Sequence, residues 1–347
     1  MPQLPGGVVE LDELEVIVVV DNETDTLSSV DEGAPQTTEI ARLMGRLAPH
    51  RRHEGRDAKV VFDKLCCACH GYSALLRGRR GGVERTILFD VGPYADVWLT
   101  NARLLGIDLS AIERVFLSHW HFDHSGGLPV VVERIAKARA EAGRPPLIVD
   151  VHPDRPDQRG FVLPSGAVAL LADEPTFAAI ASAGGTVERH ALPHPLADGF
   201  FFGSGPIDRV TEYEKGFAGH ITFRGEEGAS DPLLVDERFL AACVRGRGVS
   251  VFSACSHAGV VNACLHAKQF FPGSPVDLVL GGYHLAGKAM EPRIEATVRD
   301  LRDRIDPRVV APGHCTGWRA KAQLAAAFSP VRYVPSFVGS TYHLAAP

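Results

Sequence analysis

No apolar run of about 20 residues occurs in this chain of 347, which excludes a membrane-spanning helix. There is no basic excess either. The 36 lysines and arginines stand against 42 aspartates and glutamates, a formal charge of -6, and without a basic stripe nucleic acid is not an expected partner. Met1 to Val20 lacks a basic segment, an apolar core and a small-residue cleavage site, so a secretory leader is not expected. The seven cysteines are few and odd in number, which argues against a paired disulfide framework and for a reducing, cytoplasmic setting. No internal repeat is visible, and no Gly-x-Ser-x-Gly elbow supplies a serine nucleophile. What remains is a globular composition, 45% hydrophobic, in a chain long enough for a substantial core.

The β-branched run Val16–Val20 reads as a buried strand, as do Ser73–Leu76, Thr86–Phe89, Leu147–Val151, Val249–Phe252, Val276–Leu280 and Arg308–Ala311. Helical segments read at Ala95–Leu105, Leu128–Ala142 and Arg293–Ile305. Residues 23–57 are polar, with a helix only at Glu39–Leu47, and read as an insertion near the active-site cleft of a single domain spanning 1–347. Residues 155–228 are irregular, rich in glycine and proline, with short strand candidates at Gly199–Phe202 and His220–Phe223.

The chemistry concentrates at Ser118–Gly127, directly after the apolar run Val115–Leu117. His119, His121, Asp123 and His124 form an H-x-H-x-D-H loop, and imidazole with carboxylate suits zinc, manganese or iron. So many ligands on one loop fit two metals roughly 3.5–4 Å apart. His257, His284 and His314 each follow another apolar run, so strand ends along one sheet edge can bring them to the same place. Asp90, in an Asp-x-Gly turn at a strand end, is a candidate acceptor for the N–H of a ligating imidazole. Cys66, Cys67 and Cys69 have no second cysteine pair with which to close a structural zinc site, so they read as buried thiols in a helix or strand entering the cleft.

These residues resemble the metallo-β-lactamase superfamily, whose signature is the loop at His119–His124. Asp21-Asn22, His70–Ser73, Ser253–Gly259, Gly281–Leu285 and Pro312–Gly317 further resemble the branch containing 7,8-dihydropterin-6-methyl-4-(β-D-ribofuranosyl)aminobenzene-5'-phosphate synthase. The resemblance implies an α/β fold, a four-layer αββα sandwich of two mixed sheets flanked by helices. It implies two divalent metal ions, zinc first among the candidates. His119 and His121 with a later histidine, His257, would hold one metal, and Asp123, His124 and His314 the other. The usual bridging aspartate has no counterpart, which leaves His284 as ligand or substrate contact. Asp21 and His70 match branch motifs and are placed at the substrate cleft, and Arg209 is a candidate phosphate or carboxylate clamp.

The ligand set leads first to a metal-dependent hydrolase that uses a metal-bound hydroxide on an ester, lactone or phosphoester, with Asp123 and His284 as catalytic groups. The branch supplies an alternative, a transferase that condenses a pterin diphosphate with a ribofuranosyl aminobenzene phosphate. A di-iron redox protein is the third reading. The expected partner is a small molecule, phosphorylated in the transferase case.

Overall fold

The structure is a computed structural model that describes residues 7–163 and 165–347. The strand Glu13–Val20 shows why the fold has four layers. Leu14, Val16 and Val18 point into one apolar cluster and Ile17 and Val19 into another, because successive side chains of a strand alternate. A strand that is apolar on both faces must be covered on both faces.

It belongs to an eight-stranded mixed sheet ordered Thr186–Arg189, Ile148–Val151, Arg114–Phe116, Val83–Phe89, Ser73–Arg80, Glu13–Val20, Thr341–Ala345, Gln36–Thr37. A second mixed sheet runs His194–Leu196, Phe201–Gly203, Leu240–Val244, Gly248–Ser253, Val276–Gly282, Val309–Gly313, with Glu10–Leu11 paired to Leu240–Val244. Val16, Leu76, Phe89 and Phe116 of the first sheet meet Leu240, Phe252, Leu278 and Leu280 of the second in the central core. Helices Ala95–Leu105 and Leu128–Glu141 cover the outer face of the first sheet, and Val260–Phe270, Ile294–Asp300 and Trp318–Phe328 that of the second. The expected αββα sandwich is therefore observed. Among the described residues, no helix is long and apolar enough to cross a membrane.

The two sheets aim their strand ends at one edge. Arg114–Phe116 runs parallel to Val83–Phe89, and Gly248–Ser253, Val276–Gly282 and Val309–Gly313 run parallel to one another, so within each sheet the loops after these strands open on the same side. Asp90, just beyond Val83–Phe89, and Ser256, His284 and His314, just beyond the three parallel strands of the second sheet, all have positive φ, between 42° and 59°. Non-glycine residues in this region are strained, and such strain gathers where the surrounding structure holds side chains to a task.

Two expectations change. Residues 23–57 do not cover the cleft: none of them lines it. Thr38 caps the helix Glu39–Arg46, and Arg42 and Arg46 donate to the carbonyls of Leu105 and Leu104, so the segment docks on the end of Ala95–Leu105. The cleft is instead overhung by residues 155–230, which form a four-stranded sheet from Val168–Leu170, Gln158–Val162, His220–Arg224 and Glu227–Ser230. Cys66, Cys67 and Cys69 lie in neither helix nor strand, and Cys67 is exposed.

Candidate metal centre

His119 and His121 leave the strand Arg114–Phe116 with their rings 4.8 Å apart, and His257 reaches them from the second sheet. His119 Nε2 lies 3.1 Å from His121 Nδ1 and 3.2 Å from His257 Nε2. Zinc–nitrogen bonds of about 2.0–2.1 Å set the edge of a tetrahedron at about 3.3–3.4 Å, so this spacing suits three nitrogens turned to one cation. The outer nitrogens of His119 and His121 are committed elsewhere, while His257 Nδ1 is buried without a hydrogen-bond partner. His119 Nδ1–H donates to Ser118 Oγ at 2.8 Å, and Ser118 Oγ–H donates to Asp90 Oδ2 at 2.7 Å. His220 Nδ1–H donates to the Asp231 carbonyl at 2.8 Å, so its Nε2 accepts from His121 Nε2–H at 2.9 Å. That tautomer frees His121 Nδ1.

A second group forms around Asp123 Oδ2, with His314 Nε2 at 3.3 Å, His70 Nε2 at 3.4 Å and His124 Nε2 at 3.6 Å. His124 Nδ1–H donates to Asp90 Oδ2 at 2.7 Å, which leaves its Nε2 buried without a hydrogen-bond partner. Asn22 sorts the other two rings. The Gly71 N–H donates to Asn22 Oδ1 and fixes the amide, so Oδ1 also accepts from His314 Nδ1–H at 2.9 Å while Nδ2 donates to His70 Nδ1 at 3.0 Å. His314 thus presents a lone pair at Nε2, and His70 presents an N–H to Asp123.

The protonation states agree with this sorting. Burial, with Arg159 and neighbouring imidazoles adding to it, holds His119, His121 and His257 well below the usual histidine range; burial takes His314 and His220 to about 4. Neutral imidazole is the form that binds a metal. Burial pushes Asp123 upward, but the neighbouring His124 outweighs it and keeps the carboxylate ionised. Burial alone would lower His124 too, yet Asp123 and Asp90 raise it overall. Five imidazoles and a carboxylate, with orphaned nitrogens on His124 and His314, fit two divalent metals and suit zinc, manganese or iron.

His284 stands outside both groups. Its ring packs on His257 at 4.3 Å between centroids and lines the cleft, with burial holding it down to about 4. His70 also lines the cleft and is exposed at its mouth. Asp21 does not line it. Its buried carboxylate accepts from the His314 N–H and from Ser336 Oγ, each at 2.7 Å, so it holds the His314 turn from behind. Arg209 does not line it either, because its Nη2 donates to the Leu233 carbonyl. The anion clamp and the Asp21 substrate contact are corrected accordingly.

Several supporting residues lie outside the motifs singled out from the sequence. Asp236 accepts from the Trp120 N–H at 2.8 Å and from Arg159 at 2.6 Å, and Glu237 accepts from the N–H groups of His257 and Ala258. Arg238 then donates to Asp150 and to the Leu117 carbonyl, so three successive residues fix both histidine loops. Asp150 also gathers His190 and His194, but with both rings at 2.9 Å and Arg238 at 2.8 Å its oxygens are already taken. The cleft over the centre holds about 290 Å³ and is walled by Tyr94, Phe122, Phe161 and Phe217, with no lysine or arginine among its lining residues.

Known proteins share this fold. The chain is 29% identical over 256 residues to the 7,8-dihydropterin-6-methyl-4-(beta-D-ribofuranosyl)-aminobenzene-5'-phosphate synthase of Methanocaldococcus jannaschii, covering 73% of this chain and 82% of that protein. It is 24% identical over 279 residues to an uncharacterized protein of the same organism, covering 77% and 93%. Among solved structures it resembles Tm1679, described as a metal-dependent hydrolase of the beta-lactamase superfamily, with a TM-score of 0.65 at 22% identity over 96% of this chain and 99% of that one. It also resembles the metallo-beta-lactamase fold protein YhfI from Bacillus subtilis, with a TM-score of 0.52 at 11% identity over 96% and 100%. Residues 68–284, more than half of the chain, match the family model, and the chain belongs to the metallo-beta-lactamase superfamily.

Proposed function

We propose that this protein is a metal-dependent transferase of the kind its archaeal relative is named for, joining a pterin carried on a diphosphate to an aminobenzene acceptor. His119, His121 and His257 hold one divalent metal in this reading, and Asp123, His124 and His314 the other. Bound there, the metals supply Lewis acidity for a departing anionic oxygen. The observation that carries the proposal is the lining of the cleft: a floor of neutral imidazoles and one carboxylate, walls of Tyr94, Phe122, Phe161 and Phe217, and no basic side chain. A flat heteroaromatic ring suits those walls. With no lysine or arginine among the described lining residues to receive it, a diphosphate finds its cationic partner at the metal end.

The chain's own groups set the rest. Asp123 stays ionised and accepts from His70 at the mouth, so His70 contacts the incoming substrate through the rim of the second group. His284 offers a neutral imidazole beside His257 and contacts the reacting end of the substrate. Burial of the floor excludes bulk water, which favours the acceptor over hydrolysis.

The test is to incubate metal-loaded protein with the diphosphate of a hydroxymethyl dihydropterin, with and without the ribofuranosyl aminobenzene phosphate, and to separate the products. A condensed product that requires both substrates supports the transferase. Release of the free pterin alcohol at the same rate with or without acceptor would return the chain to the hydrolases, and no turnover of either kind would sink both readings for this substrate.

A further inference from the structure

Cys255 is 4% exposed and sits in the turn after the strand Gly248–Ser253, two residues before His257. Unlike Cys243 and Cys264, which are buried in an apolar core, it lines the cleft. Its Sγ falls within 4.8 Å of the ligand nitrogens of His119 and His257, and again within 4.8 Å of those of His124 and His314. No other side chain among the described residues belongs to both groups. Asp123, the sole carboxylate of the H-x-H-x-D-H loop, gathers instead with His70 and His314.

The turn is built to hold the sulfur there. Ser256, at φ 59°, is pinned by Oγ contacts of 2.7 Å to Ser253 Oγ and to the Gly282 carbonyl. Gly282 is open because a Cβ there would lie 2.7 Å from Cys315 Sγ and 3.0 Å from His314 Cδ2. Cys315 Sγ can then approach to 3.2 Å from Cys255 Sγ and 3.3 Å from the Cys255 carbonyl. The unpartnered Nε2 atoms of His124 and His314 aim into the same space.

We infer that Cys255 is a thiolate ligand shared between the two metals, taking the place that a bridging carboxylate would otherwise fill. The assignment rests on the two-metal centre proposed above. Thiolate is a stronger donor to zinc than a carboxylate oxygen and carries the same charge, so the exchange preserves the charge of the centre while favouring a soft metal. Cys315, with its Sγ 3.2 Å from that sulfur and 3.3 Å from the Cys255 carbonyl, acts as a positioning group.

Zinc-edge X-ray absorption on the full-length, zinc-loaded protein tests this without any variant. A sulfur scatterer at about 2.3 Å is expected alongside nitrogen and oxygen. Cobalt-loaded protein should show a sulfur-to-cobalt charge-transfer band that persists in Cys315→Ser and vanishes in Cys255→Ser. The second metal should also bind at least about tenfold more weakly to Cys255→Ser, while the first stays in place. Two metals per chain with only nitrogen and oxygen scatterers would overturn the cysteine assignment and leave the two-metal reading standing. A sulfur signal that survives in Cys255→Ser would overturn it as well. A wild-type chain that binds no metal would remove both. If Cys255→Ser fails to fold, Cys315→Ser decides: a sulfur scatterer that persists there keeps the assignment, and its loss overturns it.

Discussion

Asp90 Oδ2 accepts the Nδ1–H of His124 at 2.7 Å and, through Ser118 Oγ, also anchors His119. One carboxylate therefore sets the tautomer of one imidazole in each metal group. Such partners orient the ring and raise its donor strength. Replacing Asp90 with Asn keeps the shape but removes the charge, so both metals should bind about 10–100-fold more weakly. Chelator competition checks this, and unchanged affinity at both sites would rule out the shared role.

Asn22 differs in reaching only the second group. In Asn22→Ala, His314 Nδ1 and His70 Nδ1 both lose their partner, and His314 is free to adopt the wrong tautomer. The second metal should weaken by about tenfold or more while the first is unaffected. Stepwise loss of metal on dialysis distinguishes the two, and equal weakening of both would contradict the sorting.

The two groups should also differ in pH dependence. His119, His121 and His257 are held below the usual range, so they are already neutral at pH 7, and the first metal should bind without releasing protons. His124 is raised by Asp123 and Asp90 and must shed a proton to ligate, so the second metal should bind more tightly as pH rises through neutrality. The sign for the metal-free fold is opposite. The paired charge on His124 contributes stability below its unfolded pKa and loses it as pH rises through the folded one. The three depressed histidines contribute stability above their unfolded value and lose it in acid. Calorimetry in buffers of different ionisation enthalpy should find proton release with the second equivalent only.

How much of this was legible in the sequence depends on how local each relationship is. His119 to His124 lie on one loop, and His257, His284 and His314 each follow an apolar run, so pattern alone located them. Asp90 was found the same way, at the end of Val83–Phe89. His220 meets His121 across 99 residues, and Asn22 meets His314 across 292. No periodicity encodes such pairs. Asp21 shows the converse error: its motif is genuine, but a residue adjoining a site can face the backbone behind it as easily as the substrate. The walls Phe161 and Phe217 escaped because one lies on a five-residue strand containing Gly160 and the other in a loop outside any strand. Asp236-Glu237-Arg238 offered one usable signal, a charged triplet directly ahead of the apolar strand Leu240–Val244.

The aromatic walls make a kinetic prediction. Phe217 stands across from the floor, 6.0 Å from the His284 ring and 6.2 Å from Phe161. Phe217→Ala should remove stacking of about 1–3 kcal/mol from a bound flat ring. KM should rise about tenfold or more with kcat little changed, since the loss is felt equally by ground and transition states. Metal content should stay at the wild-type value. A fall in kcat at unchanged KM would instead place Phe217 against the reacting atoms.

Glu237 poses the sharpest structural test, because it touches neither metal nor cleft. Its two carboxylate oxygens accept from the His257 N–H at 2.7 Å and the Ala258 N–H at 2.6 Å, entirely out of solvent. Burial pushes this carboxyl upward, and the two N–H bonds work against that rise. Glu237→Ala would orphan both N–H groups at a cost of about 1–3 kcal/mol each. It would also leave a cavity beside the turn that carries Cys255 and His257. The expected result is a clear drop in Tm together with loss of the first metal, because His257 is no longer held toward His119. Glu237→Gln keeps one acceptor oxygen and should recover part of each. A variant that loses stability yet keeps the first metal at full affinity would show that His257 is positioned by its own strand end and does not need Glu237.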